Sequence, residues 1–277
     1  MKNCLLRSFQ ALLVFSLAFT LTNCGNLDNP LEELSGGGSG GSGDGGGSST
    51  INATDIKLDQ TMKVIKMGGS ATITATPVPS DATITWESSD AAVATVSNGV
   101  VTPVAVGFAT ITAKSGDVKA TCKIFVGNEV ALASSNYTVQ NYDILKGDLL
   151  SGKSITIPDG VNVAFDGITT DQTVTCEGDA TIYLTDGSEN TVDVSATFFN
   201  AGIKVGPTGK TLTIEAETAG TGKLNATGGD GAAGIGTGEA NTSANTCGAI
   251  TINGGKVTAT GGGRAAGIGT GCAENSV

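Results

Sequence analysis

The sequence predicts an all-β protein: a small β-sandwich followed by a right-handed parallel β-helix, or solenoid. Three observations predict it. A glycine-rich stretch is written twice. Residues 222–238 read GKLNATGGDGAAGIGTG and residues 255–271 read GKVTATGGGRAAGIGTG, differing only at Leu224/Val257, Asn225/Thr258, Asp230/Gly263 and Gly231/Arg264. A fixed period between about 20 and 50 residues marks an array of stacked units. Upstream, residues 51–127 carry short runs of Val, Ile and Thr in which apolar and polar positions alternate, the period of a half-buried strand. Glycine accounts for 42 of the 277 residues. At about 1 kcal/mol per glycine inside a helix, that density excludes a helical repeat.

Composition narrows the function. Lys and Arg total 15 against 26 Asp and Glu, a net charge of −11. Without Lys2 and Arg7, which belong to a leader, 13 basic residues face 26 acidic ones, or −13. This balance argues against a nucleic-acid partner and against a polybasic membrane patch. Histidine is absent and the only arginines are Arg7 and Arg264. The commonest general base, the commonest metal ligand and any arginine cluster for phosphate are therefore missing. The expectation is a protein that is not an enzyme and carries no cofactor.

At the N-terminus, a short basic stretch with Lys2 and Arg7 precedes an apolar core at residues 11–21 that ends in Leu21-Thr22-Asn23-Cys24. That core is too short to span a bilayer. The tetrapeptide resembles the bacterial lipobox, with Asn23 where the pattern has Gly, Ala or Ser. The resemblance implies a signal peptide at 1–23 and lipidation at Cys24. Gly25 after the cysteine resembles lipoproteins sorted to the outer membrane, and Asp28, Glu32 and Glu33 resemble a surface-export signal. More than one acyl chain would hold the protein firmly. Residues 24–50 form a Gly/Ser-rich tether, spanning about 28 Å on average as a flexible coil.

Residues 51–127 follow. Ala71 to Thr76, Thr83 to Trp86, Val93 to Val96, Ala109 to Ala113 and Thr121 to Val126 read as strands. Pro79-Ser80-Asp81, Ser88-Ser89-Asp90, Asn98-Gly99 and Ser115-Gly116-Asp117 read as turns. Short strands at this spacing make a small sandwich. Ile56-Lys57-Leu58, Gly68-Gly69-Ser70, Thr85-Trp86-Glu87-Ser88-Ser89, Asn98-Gly99-Val100-Val101-Thr102 and Gly107 to Ala113 resemble the group 2 bacterial immunoglobulin-like domain. That likeness implies a cell-surface module, a spacer or adhesive unit, with Trp86 in its core. Cys122 reads as a small buried residue of the last strand.

Residues 130–277 hold the solenoid, after a transition at 128–142. Ile203, Ile235 and Ile268 form one expected inward column, and Val192, Leu224 and Val257 a second. Each buried member contributes about 1.5–3 kcal/mol. Residues 154–157, 161–165 and 173–176 are expected in one coil, 181–184, 191–194 and 201–203 in the next, with further coils opening at Thr211 and Ala249. A disordered tail would not keep Ile and Leu in register while residues 239–247 vary. The stretch 181–271 resembles a family of bacterial surface proteins with carbohydrate-binding members. The likeness rests on Asp186-Gly187-Ser188-Glu189-Asn190-Thr191-Val192 and on the Ala-Gly-Ile-Gly repeats, and it implies glycans as partners. The sequence stops six residues past Gly271, inside an expected loop, so a fragment or a fraying last coil is expected.

Several motifs imitate chemistry. Residues 147–154, GDLLSGKS, fit the phosphate-loop formula, but an extended run rather than a helix follows, so no nucleotide is expected. Gly229 to Gly234 fit a dinucleotide fingerprint that Arg264 breaks in the second copy. The calcium nonapeptide fails because Ala233 stands where Asp is required. Lys153, Asp166 and Asp171 are the residues a polysaccharide lyase groove would draw on. The pairing of Cys122, Cys176, Cys247 and Cys272 stays open. The function expected is a non-catalytic lipoprotein of the outer membrane surface, held by its lipid and presenting the solenoid to glycans or to host or cell-surface proteins. The alternatives are a fragment of a β-helix polysaccharide lyase or hydrolase, and a passive spacer for a C-terminal effector. No ligand-binding residue is specified by the sequence.

Overall fold

The computed structural model describes residues 50–149, 152–217, 221–238 and 247–271. The leader at 1–23, Cys24, the tether as far as residue 49, Cys272 and the chain end lie outside the described residues. Those described belong to one compact unit, and each of their regular elements is a β-strand.

The N-terminal part is a set of short, mostly antiparallel pairings. Asp55–Leu58 pairs with Ala75–Val78, and Val100–Pro103 lies between Ala71–Thr72 and Ala94–Ser97. Gly107–Ser115 pairs with Thr85–Ser88 on one side and Val118–Ala131 on the other. Alternation along Gly107–Ser115 buries Ala109, Ile111 and Ala113, which face Ile65, Ile73, Val101, Cys122 and Ile124 or their neighbours in the core. Trp86 is half-buried and packs against both core clusters of this part. Met62–Lys66 pairs in parallel with Val118–Ala131, Met62 opposite Lys123.

Val118–Ala131 is 14 residues long and does not stop at the end of the sandwich. Its first half completes the antiparallel sheet; its last residues pair in parallel with Asp143–Leu149, Asn128 opposite Asp143. From there the pairing is parallel throughout, in three ladders. The first runs from Asp143–Leu149 through Val161–Thr170, Ala180–Leu184 and Thr211–Ala216 to Ala249–Ile252. The second takes the later halves of Asp143–Leu149 and Val161–Thr170, then Glu189–Asp193, Lys223–Asp230 and Lys256–Gly262. The third joins Tyr137–Thr138, Ile155–Ile157, Val174–Cys176, Ile203–Lys204, Ile235–Gly236 and Ile268–Gly269. Apolar residues in register make the core: Val130, Leu145, Phe165, Leu184 and Ala216 form one column, and Ile155, Val174, Ile203 and Ile235 another, each of these four with no exposed surface. Ile268 continues that column on the last described rung, 47% exposed.

Two expectations change. Ile155–Ile157 and Val174–Cys176, expected in one coil, pair with each other and so belong to successive circuits. The early circuits are short: Val163 lies opposite Asp143 and Ile182 opposite Val163. The later ones are longer, with Ile214 opposite Ile182 and Ile252 opposite Ile214. The rung stays constant and loops absorb the difference. Val192 does not stack on Leu224. It lies opposite Ala226, and Asn190 occupies the place before Leu224 and Val257. An amide is tolerated in this apolar column because its hydrogen bonds are met. Asn190 Oδ1 accepts from the N–H groups of Gly167 and Ile168 at 2.9 and 3.0 Å, and Nδ2 donates to Ser188 Oγ at 3.0 Å and the Lys223 carbonyl at 2.9 Å.

Candidate functional site

Two recesses are lined by described residues. One of about 200 Å³ lies where the second ladder hands the chain to the third. In the circuit of Val161–Thr170 this corner is tight, only four residues from Thr170 to Val174. In the next, the partners Val192 and Ile203 stand eleven residues apart. The longer loop overhangs the tighter turn. Asp171, Gln172 and Thr173 supply the floor with Ser154 and Thr175, and Val194, Thr197 and Asn200 the overhang. Some of these groups are engaged: the Thr173 hydroxyl donates to the Ala201 carbonyl at 2.8 Å and Gln172 Nε2 to Asp171 Oδ1 at 3.1 Å.

The overhanging loop carries an aromatic pair. Its length from Asp193 to Ile203 is ten residues, against eight from Thr227 to Ile235 and eight from Thr260 to Ile268, the equivalent segments of the later circuits. Phe198 and Phe199 lie in this longer segment, 68% and 43% exposed, their ring centroids 6.2 Å apart. Phe199 has φ +61°, a left-handed conformation costing a non-glycine residue about 1–2 kcal/mol. Backbone bonds hold it there: Phe199 N–H donates to the Asp230 carbonyl at 2.8 Å, Asp230 N–H to Thr197 at 3.0 Å and Gly229 N–H to Asn200 at 2.9 Å. Strained backbone that presents aromatic rings to water, beside hydroxyl and amide groups, suits a contact site.

The second recess, about 350 Å³, lies between Met62–Lys66 of the sandwich and the first ladder. Four ion pairs among the described residues line it: Lys66–Glu129 at 3.0 Å, Lys146–Asp166 at 3.2 Å, Lys63–Glu217 at 3.2 Å and Lys63–Asp186 at 3.6 Å. Glu217 follows Thr211–Ala216, and its side chain is 2% exposed. Its carboxylate accepts from the Val64 N–H, from the Asp186 N–H at 2.6 Å and from Lys63 Nζ. It thus ties the free edge of a sandwich strand to the parallel region. Burial pushes its carboxyl pKa upward, against the pull of those donors. Next to this clasp, Phe108, Phe125, Tyr142 and Tyr183 meet edge to face or tilted, with Lys123 Nζ 4.2 Å from the centre of the Phe108 ring.

The residues singled out for a lyase groove do not come together. Asp166 lines the junction recess, Asp171 the loop recess, and Lys153 neither. Asp166 and Asp171 occupy different corners because Asp166 sits midway along Val161–Thr170, and the rest of that strand runs in the second ladder before the turn at Asp171. The phosphate-loop imitation is strand as far as Leu149 and strand again at Ile155–Ile157. Among the described residues Cys122, Cys176 and Cys247 form no disulfide with one another. Burial pushes Cys122 and Cys176 up to about 12, so neither is a thiolate at neutral pH. Among the described residues no cluster of His, Cys, Asp or Glu is placed to hold a metal ion.

Sequence reasoning missed the Phe198–Phe199 loop, although two adjacent aromatics in a chain that is 4% aromatic were a signal. Nothing in the sequence marked Lys63 or Glu217.

The sandwich has a counterpart among known families. Residues 52–125 match the bacterial Ig-like domain, group 2. The match begins just before Asp55–Leu58 and ends at Phe125, within Val118–Ala131. The first ladder of the parallel region opens at Asn128 on that same strand, just past the end of the match. No curated protein matches the chain.

Proposed function

We propose that this chain is a non-catalytic surface protein for adhesion or glycan binding, with its three ladders closed into a right-handed parallel β-helix that serves as the display surface. The lipid at Cys24 would hold it to the outer membrane and residues 24–50 would tether it. The Ig-like domain supports a surface role. The constant rung with variable loops supports a coil, since parallel crossovers are right-handed in nearly every case.

The observation that carries the binding reading is the loop recess. Ser154, Thr175 and Asn200 offer hydroxyl and amide groups there that no side-chain bond among the described residues engages, and Phe198 and Phe199, between Thr197 and Asn200 on the overhanging loop, offer exposed apolar faces. A saccharide presents the complement: many hydroxyls and patches of C–H. Among the described residues that line it, Asp171 alone is charged, which favours a neutral sugar over an acidic one. Separation of Asp166 from Asp171 and the absence of histidine support the non-catalytic part.

Titration of the full chain with neutral oligosaccharides tests this. The expected result is binding that Phe198→Ala weakens tenfold or more, about 1.4 kcal/mol, with the fold intact. A panel of neutral and acidic glycans that shows no binding removes the glycan reading and leaves protein adhesion. Release of product from any of those glycans removes the non-catalytic one.

A further inference from the structure

Lys63, Asp186 and Glu217 form a group unlike the other charged pairs. Lys63 Nζ lies 3.2 Å from Glu217 Oε2 and 3.6 Å from Asp186 Oδ2. The side chains of Lys63 and Asp186 are 24% and 27% exposed, and that of Glu217 is 2%. In the remaining lysine–carboxylate pairs among the described residues both partners are at least 31% exposed. Glu217 Oε2 touches both members of the pair, accepting from Lys63 Nζ and from the Asp186 N–H. The other Asp186 oxygen, Oδ1, accepts from the Thr221 hydroxyl.

We propose that Lys63 and Asp186 condense to an isopeptide bond that staples the Ig-like domain to the parallel region, with Glu217 carrying the proton. Lys63 Nζ gives a proton to Glu217 and its lone pair attacks Cγ of Asp186. The carbonyl oxygen Oδ1 gathers negative charge under the Thr221 hydroxyl. Oδ2 then leaves as water, taking one proton from Nζ and one from Glu217, as the N–C bond becomes an amide. An ammonium and a carboxylate become an amide and one water; no oxidant or reductant is involved and Glu217 is regenerated. Burial of Glu217 favours its uncharged form, which is the proton-carrying state. Water opposes such condensation in solution. Fixing both groups at contact distance offsets that opposition, since oriented intramolecular reactions reach effective molarities of about 10⁵–10⁸ M. The reaction also removes two charges from a site that water reaches only partly.

Peptide mapping of the full-length chain tests this independently of any ligand. Trypsin should fail to cut after Lys63, and Leu58 to Lys66 should appear joined to Ser154 to Lys204 with the loss of one water. Lys63→Arg keeps the positive charge but lacks the nucleophile, so it should fold with both peptides linear. Glu217→Gln should fold with the link absent or formed more slowly. Linear peptides carrying unmodified Lys63 and Asp186 from the folded native chain overturn the proposal, as does a link that persists in Lys63→Arg.

Discussion

The ring of Phe125 in the Ig-like domain lies 5.3 Å from the ring of Tyr183 in the first parallel ladder. Tyr183 points outward from its strand, on the face opposite Ile182 and Leu184, and is nonetheless 2% exposed because the sandwich covers it. Ile144 and Ala164 precede it on neighbouring rungs and are covered by the same contact. The two parts are therefore expected to unfold as one cooperative unit. Calorimetry should give a single transition for the native chain. Tyr183→Ala should lower stability by about 3–5 kcal/mol and divide the transition in two.

Asn190 is the polar member of an inward column, and its amide satisfies two N–H groups and one carbonyl on neighbouring circuits. Asn190→Leu matches the Leu224 that lies opposite it, yet it strands those backbone groups at about 1–3 kcal/mol each. A urea midpoint shifted by the equivalent of about 3 kcal/mol is expected. An unchanged midpoint would show that the backbone finds other partners.

Phe198 and Phe199 separate binding from stability. Phe198→Ala removes an exposed ring and should change stability by less than about 0.5 kcal/mol. Phe199→Gly relieves the left-handed backbone and should hold or raise the midpoint. Both should weaken ligand capture, read by titration on the same samples.

Glu217 sets a pH dependence of definite sign. Its folded pKa is raised by burial, so the folded state holds this proton more tightly than the unfolded state does. The contribution is most favourable below the ordinary carboxyl pKa of about 4.3 and is lost as pH rises through the raised value. Melting temperatures of the native chain and of Glu217→Gln, measured on both sides of that window, should converge or cross as pH increases. An advantage of the native chain that grows with pH contradicts the burial.

Gly236 has φ +145°, and a Cβ on it would overlap the carbonyl oxygen of Gly269 on the next rung. Gly236→Ala should cost about 3 kcal/mol through strain and overpacking. A denaturant midpoint within error of the native chain would mean that the third ladder is looser at this corner.

Much of the fold was legible in the residues. Alternating Thr and Ile marked the strands of the sandwich, and the burial of Cys122 followed from its place in one of them. The register of Ile235 and Ile268 could be seen because two successive circuits, at 222–238 and 255–271, have loops of equal length at that corner, and that of Ile203 because Ala201-Gly202-Ile203 repeats the Ala-Gly-Ile of both. Where loop lengths differ the register was hidden. The short circuit from Val163 to Ile182 and the longer one from Ile182 to Ile214 share a rung but no visible period. For the same reason Asn190 was passed over in favour of Val192, two residues away.

By itself, then, the sequence determined which segments extend and which apolar residues turn inward, because alternation and glycine content act locally. Only the tertiary structure decided which circuits stack in which register, where a longer loop overhangs a tighter turn, and that Lys63 meets Glu217 across 154 residues. Parallel pairing joins strands whose separation is set by loop length, and a loop can lengthen without disturbing the rung it connects. Charged side chains meeting at such a junction leave no pattern along the chain.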